Sequence, residues 1–374
     1  MKFVVKSVDL FNHLQAISRV IASKNTLPVM DCFLFDLQDG TLSITASDTE
    51  TTMITQVEVL DSDANGRFAV VAKTLLDALK EIPDQGLTFE VDLDTFAIIV
   101  RYMNGQYKII GQSSDTYPFP PMLGVNTESI SIKSSIVTNG ITRSIFASGE
   151  DELRPVMNGV FFDIQTDSVT FVASDGHKLS RIKRYDCNGT EKASFILPKK
   201  PANLLRNVLP KDDTEVHIDF DDRNVVFATI DYKLICRQLE GRYPNYNSVI
   251  PKNNPLRITV DRFALLSAMK RVSVFASTEN SLVKLRFQGN RMTVSAQNLD
   301  FSTSAEESAS CNYDGQPFSI GFKAPFLIDM LNNLSGQNVD LELADPSRAG
   351  IFVPTQQEEN EEALMLLMPM MLND

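Results

Sequence analysis

The chain has 374 residues, of which 43% are hydrophobic and 22% are charged, a composition typical of soluble globular proteins. Its net charge of −13 argues against a simple basic nucleic-acid binder, because such proteins usually carry a cationic footprint. The longest apolar run, residues 363–372, is too short to span a bilayer, so we expect no membrane partner.

A unit of two helices and several strands recurs three times along the chain. Each copy opens with an amphipathic stretch that predicts a helix, at 8–21, 136–146 and 263–275. Two strands joined by a tight turn follow, and another strand leads into a second helix, at 74–82, 201–209 and 325–334. Two more strands close each copy. The pattern predicts an α+β fold with three repeated domains, at 1–125, 126–250 and 251–374.

Two landmarks mark the repeat. Ala-Ser-Asp at 46–48 recurs at 173–175 and, as Ala-Gln-Asn, at 296–298, and a lysine follows 25 residues later each time, at Lys73, Lys200 and Lys323. Both landmarks step by 127 and then by 123 residues, which indicates one unit copied three times. Each lysine is predicted just ahead of a helix N-terminus, where the helix dipole favours an anion. Lysines repeated at that position favour phosphate contacts over solvated surface charges.

Motifs for catalysis are missing from the sequence. There is no phosphate-binding G-x-x-x-x-G-K-[ST] loop, no G-x-S-x-G elbow and no H-E-x-x-H metal motif. The histidines are dispersed, at His13, His177 and His217, and the acidic pairs at 61/63, 92/94 and 221/222 fit solvated turns better than Mg²⁺ sites. We expect no catalytic residue, no metal and no cofactor.

The cysteines also lack a motif. They are far apart, without a C-x-x-C pair, and are interpreted as reduced core residues: Cys32, Cys187, Cys236 and Cys311. The first six residues lack the apolar core of a signal peptide. We therefore expect a cytoplasmic protein.

Charge is distributed unevenly between the predicted elements. The six predicted helices, counted with the lysines that lead them, carry +7, and the remaining residues carry −20. A chain of this kind has a basic face and an acidic face, so its overall charge does not exclude DNA.

Specific stretches resemble a known family. The sequences ASDGHKL at 173–179, GRYPNY at 241–246 and MPM at 368–370, together with Asn158-Gly159 and the three-unit layout, closely resemble the bacterial DNA sliding clamps, the β subunits of DNA polymerase III. The resemblance covers the whole chain.

The resemblance implies a head-to-tail homodimer that forms a six-domain ring, with helices on the channel side and antiparallel sheets outside. Such a ring encircles double-stranded DNA without sequence preference and slides along it, acting as a processivity factor. Its implied partners are a second copy of the chain, the DNA polymerase III catalytic subunit, the clamp loader complex and other replication and repair proteins.

Three sets of site residues follow. By family position, charge and repeat position, the expected DNA contacts are Lys24, Lys73, Arg143, Lys199, Lys200, Arg206, Lys270, Arg271 and Lys323. The partner groove implied by the family is formed by Arg154, Met157, Ser174, His177, Leu179, Pro244, Val249, Phe326, Leu366, Met368, Pro369 and Met370. The implied dimer seam pairs Tyr107 and Ile109 with Val274 and Phe275, with Lys73, Arg101 and Lys108 near Asp300, Glu306 and Glu307.

The chain also departs from the family pattern. Relatives often end in M-P-M-R-L, whereas this chain has Met371 in place of that arginine and extends to Asn373-Asp374. Ser248 stands where some relatives have another arginine, and Pro155-Val156 replace an aromatic pair, so no base stacking is predicted there.

Two alternatives remain open from the residues alone. A three-domain protein-binding scaffold would keep the Met-rich groove without encircling DNA. A hydrolase or metal-dependent enzyme would need turnover or bound metal. Neither explains the recurring lysine.

Overall fold

A computed structural model describes residues 1–25 and 27–372 of the chain. The described residues include six α-helices: α1 Ser7–Ser18, α2 Ala72–Leu79, α3 Ser134–Ser144, α4 Lys199–Val208, α5 Arg262–Val272 and α6 Ala324–Asn333. These are the six predicted helices, with ends shifted by one to three residues. No helix in this part of the chain combines the length and the apolar character that crossing a membrane requires.

Strands make up most of the remaining regular structure. Those of the first third are β1 Lys2–Lys6, β2 Cys32–Gln38, β3 Thr41–Ser47, β4 Thr51–Glu58, β5 Asp61–Ser62, β6 Gly66–Val71, β7 Gly86–Val91, β8 Ala97–Tyr102 and β9 Gly105–Ile110. Those of the middle third are β10 Glu128–Lys133, β11 Gly159–Ile164, β12 Val169–Ser174, β13 Lys178–Arg184, β14 Ala193–Pro198, β15 Glu215–Phe220, β16 Asn224–Ala228 and β17 Tyr232–Arg237. The last third has β18 Leu256–Asp261, β19 Leu282–Gln288, β20 Arg291–Asn298, β21 Thr303–Asn312, β22 Phe318–Lys323, β23 Asn338–Leu343, β24 Gly350–Pro354 and β25 Glu361–Leu367.

By packing, the chain divides into two compact units. The first comprises residues 1–135 with 203–238 and holds an antiparallel five-stranded sheet, β5-β1-β7-β8-β9, and an eight-stranded sheet, β10-β15-β16-β17-β4-β3-β2-β6. Pairing of β17 with β4, Leu234 opposite Met53, makes the larger sheet continuous. Helix α1 buries Leu10, Leu14 and Ile17 along one face, as the helical spacing predicts.

The second unit comprises residues 136–202 with 239–374. Its antiparallel sheet has the order β14-β11-β12-β13-β25-β24-β23-β18-β21-β20-β19-β22. Helices α5 and α6 pack together over a core in which Met269, Leu327 and Phe322 are fully buried. Each unit's sheet joins strands on both sides of a predicted domain boundary, so packing does not follow the repeat, and the boundaries at 125 and 250 stay predictions.

The Ala-Ser-Asp landmark has a structural role in all three copies. Asp48, Asp175 and Asn298 each lie at the end of a strand, and each side-chain Oδ1 accepts hydrogen bonds from the main-chain N–H groups two and three residues later. A carboxylate and an amide oxygen both accept such bonds, which explains why asparagine replaces aspartate in the third copy. The landmark is a capped turn between two strands.

Gly140 in α3 gives a test of the packing. A methyl group at this position would overlap the ring of Phe171, which is fully buried. We expect Gly140→Ala to destabilise the protein by about 1–3 kcal/mol, since overpacking outweighs the better helix propensity of alanine. Chemical denaturation measures the change. Asn139→Ala, one residue earlier on the same helix, is the control and should stay within about 0.5 kcal/mol of wild type. A Gly140→Ala protein as stable as this control would contradict the packing.

Candidate functional site

Basic residues of the first unit lie at its surface or near it. Lys24 is exposed in the loop after α1, and Lys73 is exposed in the first turn of α2. Arg206 on α4 is half-buried, and its Nη1 donates to Oδ1 of Asn203 at 3.1 Å. All three side chains are therefore exposed or partly exposed.

The second unit presents further cations on its helices. Lys199 begins α4, and its Nζ lies 3.0 Å from an oxygen of Glu150. Lys270 and Arg271 are exposed in the last turn of α5, where cations are favoured by the helix dipole. The guanidinium of Arg271 forms an ion pair with Glu307, which raises the pKa of the guanidinium and lowers the pKa of the carboxyl. Arg271, which was predicted to contact DNA, therefore forms an ion pair with Glu307, which was predicted to lie at the dimer seam.

The three recurring lysines are not placed as predicted. Lys73 and Lys200 are the second residues of α2 and α4, inside the first turn, whereas Lys323 is the last residue of β22 and precedes α6. By strand pairing, Lys323 is equivalent to Val71 and Pro198, the last residues of β6 and β14. The third copy has two extra residues between the capped turn and this strand end. The prediction that all three lysines precede their helices is therefore wrong for the first two, and the constant spacing of 25 residues does not reflect one structural position.

Arg143 lies in the interior, contrary to its predicted place among surface DNA contacts. Its side chain is 9% exposed, and its Nη1 lies 2.6 Å from Oε1 of Glu361, whose side chain is fully buried. The other oxygen of Glu361 accepts from Arg184 at 3.3 Å, and Arg143 also donates to the carbonyl of Asn333 at 3.1 Å. A guanidinium held in this way is unavailable to phosphate, so we assign Arg143 a structural role.

The partner groove residues gather around the end of the β13–β25 ladder. Leu179 pairs with Ser174 on one side and with Leu366 on the other, and the N–H of Met368 donates to the carbonyl of His177 at 2.8 Å. The buried members of the set are Met157, Ser174, Leu179 and Leu366, the half-buried members are Phe326, Pro369 and Met370, and the exposed members are Arg154, His177, Pro244, Val249 and Met368. The set thus has an apolar floor and an exposed rim.

Stacked aromatic rings position the GRYPNY segment beside this floor. The Tyr243 ring stacks on Phe161 with 4.6 Å between ring centroids, and the hydroxyl of Tyr246 donates to Asp163 at 2.6 Å. Gly241 has φ +119°, a backbone conformation that residues with a Cβ atom rarely adopt and that glycine adopts readily. These contacts hold Pro244 at the surface.

A lysine with a buried charge borders Phe326. The Nζ of Lys178 lies 2.5 Å from Asp175 and 4.1 Å from the centre of the Phe326 ring, and the Nζ of Lys323 lies 4.8 Å from the same ring. Burial alone would raise the pKa of the Asp175 carboxyl, but hydrogen bonds from Lys178 and His177 outweigh it and lower that pKa. Cation–π contacts thus connect Lys323, predicted for DNA, with a groove residue.

A cleft of about 730 Å³ opens at the exposed rim of the groove. We call it the loop cleft; it is lined by residues 248–253, Asp345, residues 347–349 and Met368. Of the predicted groove residues it contains Val249 and Met368. Lys252, Asp345, Ser347 and Arg348 were not predicted from the sequence, because they belong to no repeated motif and their two loops lie almost 100 residues apart in the chain.

The predicted seam residues lie at strand edges or near them. Tyr107 and Ile109 are half-buried on β9, the last strand of its sheet. Val274 and Phe275 follow α5 in a short 3₁₀ helix and are 77% and 40% exposed. Within the described residues, β21 pairs with β20 along most of its length but with β18 only at its last two residues, and it carries Glu306 and Glu307. Asp300 is exposed in the turn before β21.

Comparison with known proteins decides the family. Sequence models of the DNA polymerase III beta subunit match three consecutive segments: the N-terminal domain at 1–121, the central domain at 131–245 and the C-terminal domain at 247–371. The chain belongs to the DNA polymerase III beta subunit family. The resemblance inferred from the sequence is thereby confirmed, and so is the α+β fold of three clamp domains.

Individual relatives agree with this family. The chain is 29% identical to the beta sliding clamp of Synechococcus elongatus over 368 residues, which cover 95% of this chain and 96% of the relative. It is 26% identical to the beta sliding clamp of Escherichia coli K12 over the full length of both chains. The structure matches a sliding clamp of Pseudomonas aeruginosa bound to griselimycin with a TM-score of 0.93 at 23% identity, and one of Bacillus subtilis with 0.91 at 22%, each over all of both chains.

Membership in this family identifies the chain as a processivity clamp, a non-catalytic subunit, and favours that reading over the scaffold and the hydrolase. Within the described residues, no three His, Cys, Asp or Glu side chains are grouped as metal ligands. The four cysteines are free and buried. Asn373 and Asp374 lie outside the described residues.

The reassignment of Arg143 can be tested by comparing two cations from the predicted DNA set. Arg143→Met removes one of the two guanidinium groups that neutralise the buried carboxylate of Glu361. We expect this change to lower the free energy of unfolding by about 3–5 kcal/mol. Lys270→Gln removes an exposed charge and should stay within about 0.5 kcal/mol of wild type. Urea denaturation of both variants measures the contrast. If Arg143→Met were as stable as Lys270→Gln, the buried ion pair would not be structural.

Proposed function

We propose that this chain encircles duplex DNA as a ring-shaped homodimer and slides along it, tethering the replicative DNA polymerase to its template. The proposed contacts to DNA are electrostatic, directed at phosphates, and independent of sequence. A topological link needs no tight contact, so weak and mobile cations suit a protein that must move.

The main support for this proposal is the net charge of the helices. In chain order the six helices carry net charges of −1, 0, +1, +3, +3 and −1, which leaves −18 on the rest of the chain. Two helices, α4 and α5, carry the excess of accessible cations in a strongly acidic chain, which fits a protein that attracts DNA at these helices and repels it elsewhere. The proposed DNA contacts are Lys24, Lys73, Lys199, Lys200, Arg206, Lys270, Arg271 and Lys323; Arg143 is left out because it is buried.

Encirclement can be tested by comparing how much protein stays bound to circular and to linear DNA. The protein is loaded by a clamp loader and ATP onto a nicked circle, and part of the sample is then linearised. We expect retention on the circle and loss from the free ends of the linear DNA, measured by gel filtration. Equal retention on both would mean ordinary surface binding, and no retention with an active loader would favour the non-encircling scaffold.

The role of the lysines needs a matched pair of variants in the same assay. Lys73→Gln, Lys200→Gln and Lys270→Gln together should lower the loaded amount by at least about threefold at low salt, with a smaller effect at higher salt because salt weakens phosphate contacts. The control combines Lys192→Gln, Arg286→Gln and Arg291→Gln, which removes the same charge from a loop and from two strands. Equal loading of both triple variants would contradict a DNA contact through the helices.

We propose that the homodimer forms by pairing β9 of one protomer with β21 of its partner, since β9 is the last strand of its sheet and β21 pairs with β18 only at its last two residues. Val274 and Phe275 supply the apolar area that faces Tyr107 and Ile109. Burial, and then the neighbouring Tyr102, raise the pKa of Tyr107 to about 12, so its ring remains neutral at such a contact. Lys73, Arg101 and Lys108 face the acids Asp300, Glu306 and Glu307 in this arrangement.

The proposed dimer seam predicts that a single charge introduced at residue 274 weakens the dimer, whereas a charge elsewhere on the surface does not. Val274→Asp should raise the dimer dissociation constant about 30-fold or more, because it places a carboxylate in an apolar contact. Ile230→Asp, at a side chain that is 88% exposed in the turn between β16 and β17, is the control and should leave the dimer intact. Sedimentation velocity across nanomolar to micromolar protein measures both. A wild-type protein that stays monomeric at micromolar concentration would contradict the homodimer.

The proposed partners of the groove are the DNA polymerase III catalytic subunit, the clamp loader complex and other replication and repair proteins that carry short clamp-binding peptides. Flexible, polarisable methionine side chains such as Met368 and Met370 suit one pocket that accepts several sequences. The proposed location is the cytoplasm, where these partners act.

A further inference from the structure

The loop cleft differs from the rest of the partner groove in its charge. Its lining combines the apolar side chains of Val249, Ile250 and Met368 with the cations Lys252 and Arg348. Val249 is 57% exposed and Met368 is 43% exposed, so the apolar part is open to a ligand. An exposed apolar surface with polar groups at one side is typical of a binding site.

The walls of the cleft are fastened to each other. The side-chain amide of Asn254 donates to the carbonyls of Glu342 at 2.9 Å and Ala349 at 3.1 Å. Nη1 of Arg348 donates to the carbonyl of Asn253 at 3.2 Å. These bonds hold the 248–254 segment against the loop that carries Arg348, so the cleft is formed before a ligand arrives.

The charges in the cleft are unequal. Two cations, Lys252 and Arg348, face one carboxylate, Asp345. Asp345 is engaged in its own turn: it accepts from the hydroxyl of Ser347 at 2.6 Å and from the Ser347 N–H at 2.9 Å, and these bonds lower the pKa of its carboxyl. Among the described residues, neither cation has a carboxylate within ion-pair distance. The cleft is thus locally cationic in a chain of net charge −13.

We infer that the loop cleft selects partner peptides in which acidic residues flank an apolar anchor. The anchor packs on Val249 and Met368, and the flanking carboxylates are held by Lys252 and Arg348. An acidic peptide is repelled by the acidic parts of this protein, and a cationic cleft beside an apolar surface offers both kinds of contact that such a peptide needs. This inference rests on the partner groove of the proposed function and adds the chemistry of its ligand.

Matched peptides test this selectivity. The probes are dye-labelled peptides with a Leu-Leu-Phe anchor flanked on the N-terminal or the C-terminal side by Asp-Asp, and the isosteric peptides with Asn-Asn. Fluorescence anisotropy at low salt measures the affinities for the full chain. We expect one Asp peptide to bind about threefold to tenfold more tightly than its Asn counterpart, as for two exposed ion pairs. Added salt should reduce the difference.

Two double variants locate the effect. Lys252→Gln with Arg348→Gln should abolish the preference for aspartate, so that the Asp and Asn peptides bind this variant with equal affinity. Lys192→Gln with Arg291→Gln removes the same charge outside the cleft and should keep the preference. Equal affinities of the Asp and Asn peptides for wild type, or a preference that survives Lys252→Gln with Arg348→Gln, would overturn the inference. Binding of no peptide at millimolar concentration would overturn the groove as well, while retention on circular DNA reports independently on encirclement.

Discussion

The main-chain ladder between β13 and β25 is the interaction on which the candidate groove depends. It runs from Lys178 opposite Leu367 to Arg184 opposite Glu361 and joins a strand of the middle third to one near the C-terminus. At one end it places Met368 beside the turn that contains His177. At the other end it places the buried carboxylate of Glu361 beside Arg184, where Arg143 also reaches it. One register therefore fixes both the apolar floor of the groove and the buried ion pairs, and a slip by one residue would turn every side chain to the other face.

The elements that sequence reasoning predicted well are those fixed by local physics. Helix α1 follows from apolar residues at helical spacing, and the tight turn that joins β2 to β3 follows from Asp39 and Gly40, which both have positive φ. Such signals lie within a few residues of one another, so one sequence suffices to find them. The family motifs extended the same reasoning to Ser174, His177 and Met368, which the fold brings together.

Residues whose role depends on distant contacts were harder to predict. Arg143 has the charge and helix position of a DNA contact, and only the fold places Glu361 against it. Lys323 keeps the spacing of the repeat but lies at a strand end, because two residues are added between the capped turn and β22. Arg348 and Lys252 belong to loops without a motif, and their proximity depends on hydrogen bonds made by Asn254 and by Arg348 itself. Sequence shows the sign of a charge, whereas burial and proximity arise from the whole fold.

The ion pair between Arg271 and Glu307 connects two proposed functions. Both side chains are partly exposed, so the ion pair is weak and is screened by salt. A cation from a second protomer that reaches Glu307 can therefore displace Arg271 at little cost. In the proposed dimer, this displacement would free the guanidinium of Arg271, at the basic end of α5, for the proposed contact with phosphate. Closing the proposed seam and increasing the positive charge of a helix proposed to contact DNA would then be one exchange of partners, which a weak ion pair allows more readily than a strong one.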